Sequence, residues 1–158
     1  MVDKKLLKDI TLFGDCSQPE IEKLAPLFSE RSYAANQVMI PEQSDNRELM
    51  ILLEGSVAVE VGLSLSASSE KLMLTSEDSP GRIIEWSSAI DTTKSGGTAS
   101  ARALKATRVL VADGQALVDL FKSEKELGYK LMQKILLVIA SRLKDTRLQL
   151  ISMAAQCR

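Results

Sequence analysis

The chain has 158 residues, 45% of them hydrophobic, which suffices for one buried core and falls short of two domains of ordinary size. Its 20 basic and 21 acidic residues give a formal charge of −1, so no basic field exists to draw in nucleic acid or an acidic membrane surface. Histidine is absent, which excludes imidazole bases, imidazole metal ligands and the Ser/His and Cys/His nucleophile pairs. No apolar run approaches the roughly 20 residues that span a bilayer, and Met1 to Phe13 is charged and too short in its apolar part for a signal peptide. The expectation is a cytoplasmic protein with no membrane contact, whose Cys16 and Cys157 are isolated, reduced thiols.

Leu6, Leu7, Ile10 and Phe13 fall at helical spacing, and Ser17 with Glu20 reads as a capping box before Ile21, Leu24, Leu27 and Phe28. Two short amphipathic helices therefore open the chain. From Arg31 the period changes: Tyr33 leads to an Asn36-Gln37 turn, and Val38 to Ile40 ends at Pro41 as a short strand does. Leu49 to Leu53, the Glu54-Gly55 turn and Val57, Val59 and Val61 form a hairpin in which Gly55 supplies a positive φ. Gly62 to Glu70, with Ser64, Ser66, Ser68 and Ser69, reads as a solvated tip, and Lys71 to Leu74 as the return strand. A Ser79-Pro80-Gly81 corner precedes extended Arg82 to Ile84, a short helix and a polar loop interrupt the pattern, and Ala101 to Leu104 and Arg108 to Ala112 complete the strands.

Roughly six to eight short strands at this spacing predict an antiparallel roll or barrel with flanking helices. After Gly114 the helical period returns through Leu117, Leu120 and Phe121, then runs from Glu124 to about Gln156. Tyr129, Met132, Leu136, Ile139, Leu143, Thr146, Leu150, Met153 and Cys157 there alternate at steps of three and four, a heptad seam. A helix of about 30 residues extends 45 Å, more than a small roll can cover, so part of the seam is expected to meet a second copy. Packing of the whole stripe on its own domain is the competing arrangement. Residues 1–123, the roll with its N-terminal helices, and 124–158, the long helix, are expected to form one structural unit.

The run Leu49-Met50-Ile51-Leu52-Leu53-Glu54-Gly55-Ser56-Val57-Ala58-Val59, with the Pro80-Gly81 corner before Ile83-Ile84, resembles the cyclic-nucleotide-binding domain of the catabolite-activator family. The resemblance extends from about Leu6 to Met153. It implies a double-stranded β-helix, or jelly roll, with a long C-terminal dimerisation helix. In the family's phosphate cassette a Gly and a Glu precede two small or apolar residues, and a short helix turns free N–H groups toward the cyclic phosphate. The matching positions here are Glu85 and Trp86, then Ser87, Ser88, Ala89 and Ile90. Trp86 thus stands where the family directs an acid at the ribose, with Glu85 one place away as a substitute; Trp86 reads either as a stacking platform or as a plug beside Ile83 and Ile84. Aligning Ala101-Arg102-Ala103 with the family's Val-Arg-Ala strand puts Thr98, Ala99 and Ser100 in its hydroxyl-bearing turn and Gly97 at its phosphate-binding Arg. Backbone donors, Thr98 and Lys94 remain to neutralise an anion, at a loss of roughly tenfold or more in affinity. Arg142-Leu143-Lys144-Asp145-Thr146 resembles the stretch whose Thr meets the purine across the dimer, although a Thr on a seam is also a tolerated small polar residue.

The resemblance implies a ligand site made of Gly81, Ile84, Glu85, Trp86, Ser87, Ser88, Gly97, Thr98, Ala99 and Thr146, for cAMP, cGMP or another small anionic ligand, with no cofactor or metal. The expected function is a non-enzymatic regulatory sensor, homodimeric through its final helix and read by a protein partner that the sequence does not name. With no helix-turn-helix after the long helix, DNA is not an expected partner. The alternative is a dimeric interaction scaffold that has lost nucleotide binding. An enzyme on a double-stranded β-helix would need a metal or acid/base cluster that the residues do not supply.

Overall fold

A computed structural model describes residues 2–62, 71–90, 97 and 99–156. The serines of the expected hairpin tip, Lys94, Thr98 and Cys157 lie outside the described residues. Helix α1 (Lys4–Asp9) is capped by Asp3, whose side chain accepts from the Lys5 N–H, and α2 (Gln18–Leu24) by the predicted Ser17/Glu20 capping box. A 3₁₀ turn (Ala25–Leu27) follows. Phe28, expected to close the second helix, instead opens strand β1 (Phe28–Tyr33). Pro26 is the cause, because it has no N–H to donate into a continuing helix, and the chain tightens for one turn and leaves extended. The displaced ring is not lost to the core: Phe28 meets Phe13 edge-on, ring centroids 5.3 Å apart.

The remaining strands are β2 (Val38–Ile40), β3 (Glu48–Glu54), β4 (Val57–Gly62), β5 (Lys71–Glu77), β6 (Ile83–Glu85), β7 (Ser100–Ala103) and β8 (Thr107–Asp113). Strand β5 continues to Glu77 rather than stopping at Leu74, still paired with β4 there. Two four-stranded antiparallel sheets result, ordered β1-β8-β3-β6 and β2-β7-β4-β5, so the expected jelly roll is the observed architecture. Between the sheets lie Met50, Leu52, Val57, Ile84, Ala101, Ala103, Val109 and Val111. On the other face of the first sheet, Leu49, Ile51, Ile83, Leu110 and Ala112 pack with Phe13, Leu117 and Leu131 of the helical layer. Burial on both faces explains why β3 and β8 read as unbroken apolar runs rather than as alternating strands. The β3–β4 turn depends on Gly55, whose φ is +117° and whose added Cβ would stand 2.6 Å from the Thr107 Cα.

Helix α3 (Gly114–Ser123) starts at Asp113, whose carboxylate accepts from the Ala116 N–H at 2.8 Å, and α4 (Lys125–Gln156) follows after a one-residue break. Leu127, Leu131 and Ile135 are buried on the body of the domain, with Met132, Val138 and Ile139 packed beside them. The rest of the predicted seam points elsewhere: Tyr129, Leu136, Leu143, Leu150 and Met153 are all at least half exposed. Two stripes therefore share the helix, one holding it to the roll and one left open. No described helix is long and apolar enough to cross a membrane.

Candidate functional site

The Pro80 corner is stitched to β3 by paired backbone bonds, Gly81 N–H to the Leu52 carbonyl at 2.7 Å and Leu52 N–H to the Arg82 carbonyl at 2.8 Å. Gly81 has φ +82°, which permits the reversal. The corner launches β6, along which side chains alternate between layers. Ile84 enters the inter-sheet core, whereas Ile83 and Trp86 pack on the helical side. Trp86, one residue past the end of β6, is half-buried against that helical-side core.

The short helix after β6 is a single 3₁₀ turn, Ser87–Ala89, and its Ser87 and Ala89 amides are occupied. The Ser87 N–H donates to the Glu85 carboxylate at 2.6 Å, and the Ala89 and Ile90 N–H groups donate to the Trp86 and Ser87 carbonyls, each at 3.1 Å. Glu85 therefore holds the place that the resemblance reserves for an anion, and holds it with a charge of the same sign. Ser88, 4% exposed, buries a hydroxyl that finds no partner among the described residues. Gly97 is fastened elsewhere: its N–H donates to the Ser44 carbonyl at 3.1 Å and its own carbonyl accepts from Gln43 at 2.8 Å. Ala99, half-buried, immediately precedes β7. No hydrogen bond among the described residues joins Gly97 to the Glu85–Ser88 turn, and Thr98 is not described.

A second group of residues, not foreseen as a site, links β5, the corner and α4. Glu77, 6% exposed, accepts from Arg82 Nε at 2.8 Å and, through its other oxygen, from Arg142 Nη2 at 3.5 Å. Arg142 also donates to the Ile83 carbonyl. Pairing with β4 carries β5 as far as Glu77, opposite Val57, and so brings this carboxylate within reach of both guanidiniums. Burial pulls the Arg142 guanidinium below the ordinary arginine value, with Glu77 opposing the shift, while the hydrogen bond to Glu77 pushes Arg82 up. Arg142 Nε is buried with no partner among the described residues.

Thr146 stands one turn beyond Arg142 and donates to the Arg142 carbonyl at 2.9 Å, and Gln149 donates to the Leu74 carbonyl at 3.1 Å. Between them and the roll lies a cavity of 220 Å³ lined by Val59, Thr75, Glu77, Arg82, Arg142 and Thr146. Of the predicted site residues that are described, only Thr146 lines this mouth; Gly81, Ile84, Glu85, Trp86, Ser87, Ser88, Gly97 and Ala99 do not. A signal for Arg142 existed, because it sits four residues before Thr146 and so on the same helix face. Its partner Glu77 is 65 residues away and carries no periodic mark.

Neither a family model nor a curated protein matches the chain. Solved structures do, and the chain shares their fold, that of proteins described as cyclic nucleotide-binding. A candidate cyclic nucleotide-binding protein of Geobacter metallireducens GS-15 is 27% identical, with 90% of this chain and 99% of that chain covered and a TM-score of 0.71. A cyclic nucleotide-binding domain from Methylobacillus flagellatus KT is 22% identical over 94% of this chain and 80% of that one, at a TM-score of 0.78. The Thermus thermophilus catabolite activator protein is 19% identical over 90% of this chain and 62% of that one, at 0.68.

Proposed function

We propose that this chain is a regulatory ligand-sensing module with a cyclic-nucleotide-binding fold, in which α4 reports what occupies the mouth of the roll. The observation that carries the reading is Arg142. Its side chain leaves the helix to bind Glu77 at the end of β5 and the Ile83 carbonyl at the start of β6, beside a cavity that Thr146 also lines. A ligand entering that space competes for these contacts, and any difference in its affinity for the two positions of the helix shifts the population between them. A small anionic ligand is the class that the guanidiniums favour, and cAMP and cGMP are the first candidates because the fold's neighbours carry that description. With Glu85 on the cassette amide and Gly97 lacking a guanidinium, both should bind weakly.

The outward stripe of α4, from Tyr129 through Leu136, Leu143 and Leu150, fits a second copy of the chain, giving a homodimer whose geometry the ligand adjusts. The role is non-enzymatic, and a partner protein reads it.

A second reading, an interaction scaffold without a ligand, is favoured by one observation, the capping of the cassette turn by the protein's own carboxylate. Calorimetric titration with cAMP and cGMP, with hydrogen exchange followed across residues 142–149, separates the two. Saturable heat with altered exchange in that helix segment is expected. Flat titrations to millimolar concentration with both nucleotides and with inorganic phosphate give the module to the scaffold reading.

A further inference from the structure

Behind the Arg82/Arg142 pair, on the side away from the roll mouth, α4 and the Pro80 corner enclose a larger cavity of 460 Å³ with the chain between α1 and α2. That volume falls within the roughly 300–1,000 Å³ of small-molecule sites. Its walls are Leu12, Pro80, Ile83, Leu137 and Val138, an apolar lining for an apolar body. Three cations reach it, and their compensation is unequal. Lys134 is matched by Asp15 at 2.8 Å and by the Thr11 carbonyl at 3.2 Å. Arg82 and Arg142 share one carboxylate, Glu77, which lies 2.8 Å from the first and only 3.5 Å from the second. The next acids do not make up the difference, since Glu85 is held by Ser87 and Asp145 is open to water. One end of an apolar chamber therefore carries surplus positive charge on a desolvated guanidinium, where an anionic head gains most.

We propose that this cavity binds a small amphipathic monocarboxylate, its carboxylate on the Arg82/Arg142 pair and its hydrocarbon against Leu12, Ile83 and Val138. The site is separate from the roll mouth, since neither Thr146 nor any residue of β4 lines it, yet it shares two arginines with it. Occupancy would draw Arg142 away from Glu77, so the two sites act on the same helix contact.

Octanoate and 1-octanol, the same body with and without the charge, are the probes, titrated into the full chain by calorimetry. Octanoate should bind saturably and at least about tenfold tighter than octanol, the least that a charge-assisted hydrogen bond supplies. Arg82→Gln, checked by thermal unfolding because it removes the nearer partner of buried Glu77, should remove that preference and leave octanol unchanged. Glu77→Gln should have the opposite sign and strengthen octanoate. Filling the chamber with Val138→Phe should abolish both, whereas Thr146→Val, which alters only the roll mouth, should change neither. Octanoate affinity that is indifferent to Arg82→Gln, or that falls with Thr146→Val and survives Val138→Phe, overturns the proposal whatever the cyclic nucleotides do. Binding that disappears as the chain associates and returns on dilution assigns the chamber to a second copy, and overturns it equally.

Discussion

Relieving the occupied cassette should convert a weak nucleotide binder into a strong one, and Glu85→Gln with Gly97→Arg is the pair that does so. Glutamine keeps an amide oxygen for the Ser87 N–H, so the 3₁₀ turn retains its cap while the charge goes. At position 97 an added Cβ would meet nothing nearer among the described residues than the Ala99 and Ser44 carbonyls at 3.8 Å, an ordinary contact distance. A phosphate about 5 Å from the Glu85 carboxylate would be repelled by about 3 kcal/mol at an effective dielectric near 20. Solvent screening at this half-buried side chain reduces that to about 1 kcal/mol. The new guanidinium adds about 1.5–3 kcal/mol if it bonds the phosphate. Together these give about a 100-fold gain in cAMP affinity. Calorimetry measures it, with thermal unfolding run alongside to show that both variants keep the wild-type fold. A double variant that melts like the wild type and binds cAMP no more tightly refutes the placement of the phosphate at this turn.

Gly55→Ala should lower stability by about 2 kcal/mol or more in urea unfolding, because alanine must both adopt a positive φ and displace Thr107. The Glu20 carboxyl is held below its ordinary value of 4.5, first by its hydrogen bond to Lys130 and then by the Ser17 N–H. A carboxyl depressed on folding stabilises the fold above the unfolded value and loses that contribution as pH falls through the folded one. Stability of the wild type should therefore drop from about pH 4.5 downward more steeply than that of Glu20→Gln, as denaturant titrations at stepped pH would show. Leu143→Glu and Leu150→Glu, at side chains 50% and 61% exposed, should leave the melting of the roll intact and yield a monomer in sedimentation, against a dimeric wild type.

Sequence periodicity exposed the fold wherever burial is simple. Leu49 to Leu52 and Val109 to Ala112 are apolar throughout because both faces of their sheet are covered, and Gly55 marks the hairpin because no other residue tolerates that φ beside Thr107. It failed where two patterns overlap. Ile21, Leu24, Leu27 and Phe28 keep helical spacing across Pro26 although the backbone has already turned extended. On α4 one heptad count merged two stripes, since Met132 and Ile139 pack inward while Tyr129, Leu136 and Leu143 do not. The site was legible only in part. Thr146, named from its helix stretch, lines the 220 Å³ cavity, but Glu77 and Arg82 are charged residues whose pairing depends on a partner distant in sequence, and a period cannot report burial of a single carboxylate.

That buried carboxylate sets the energetic scale of any signal. Moving α4 so that Arg142 releases both Glu77 and the Ile83 carbonyl gives up two bonds made by a charged donor, about 1.5–3 kcal/mol each. Arg82 stays on Glu77 throughout, so the acid is never left alone and the larger loss of about 3–5 kcal/mol for an orphaned buried charge is avoided. The released state then lies about 3–6 kcal/mol above the docked one, a gap comparable to the 5.5 kcal/mol that carries a two-state equilibrium from 1:99 to 99:1. An effector selective for the released helix supplies RT ln(1 + [L]/Kd), about 1.4 kcal/mol at ten times its Kd and about 2.7 kcal/mol at a hundred times. A switch worked by a weak ligand therefore requires a docked state no deeper than the lower end of that range, and the sharing of Glu77 between two guanidiniums acts in that direction.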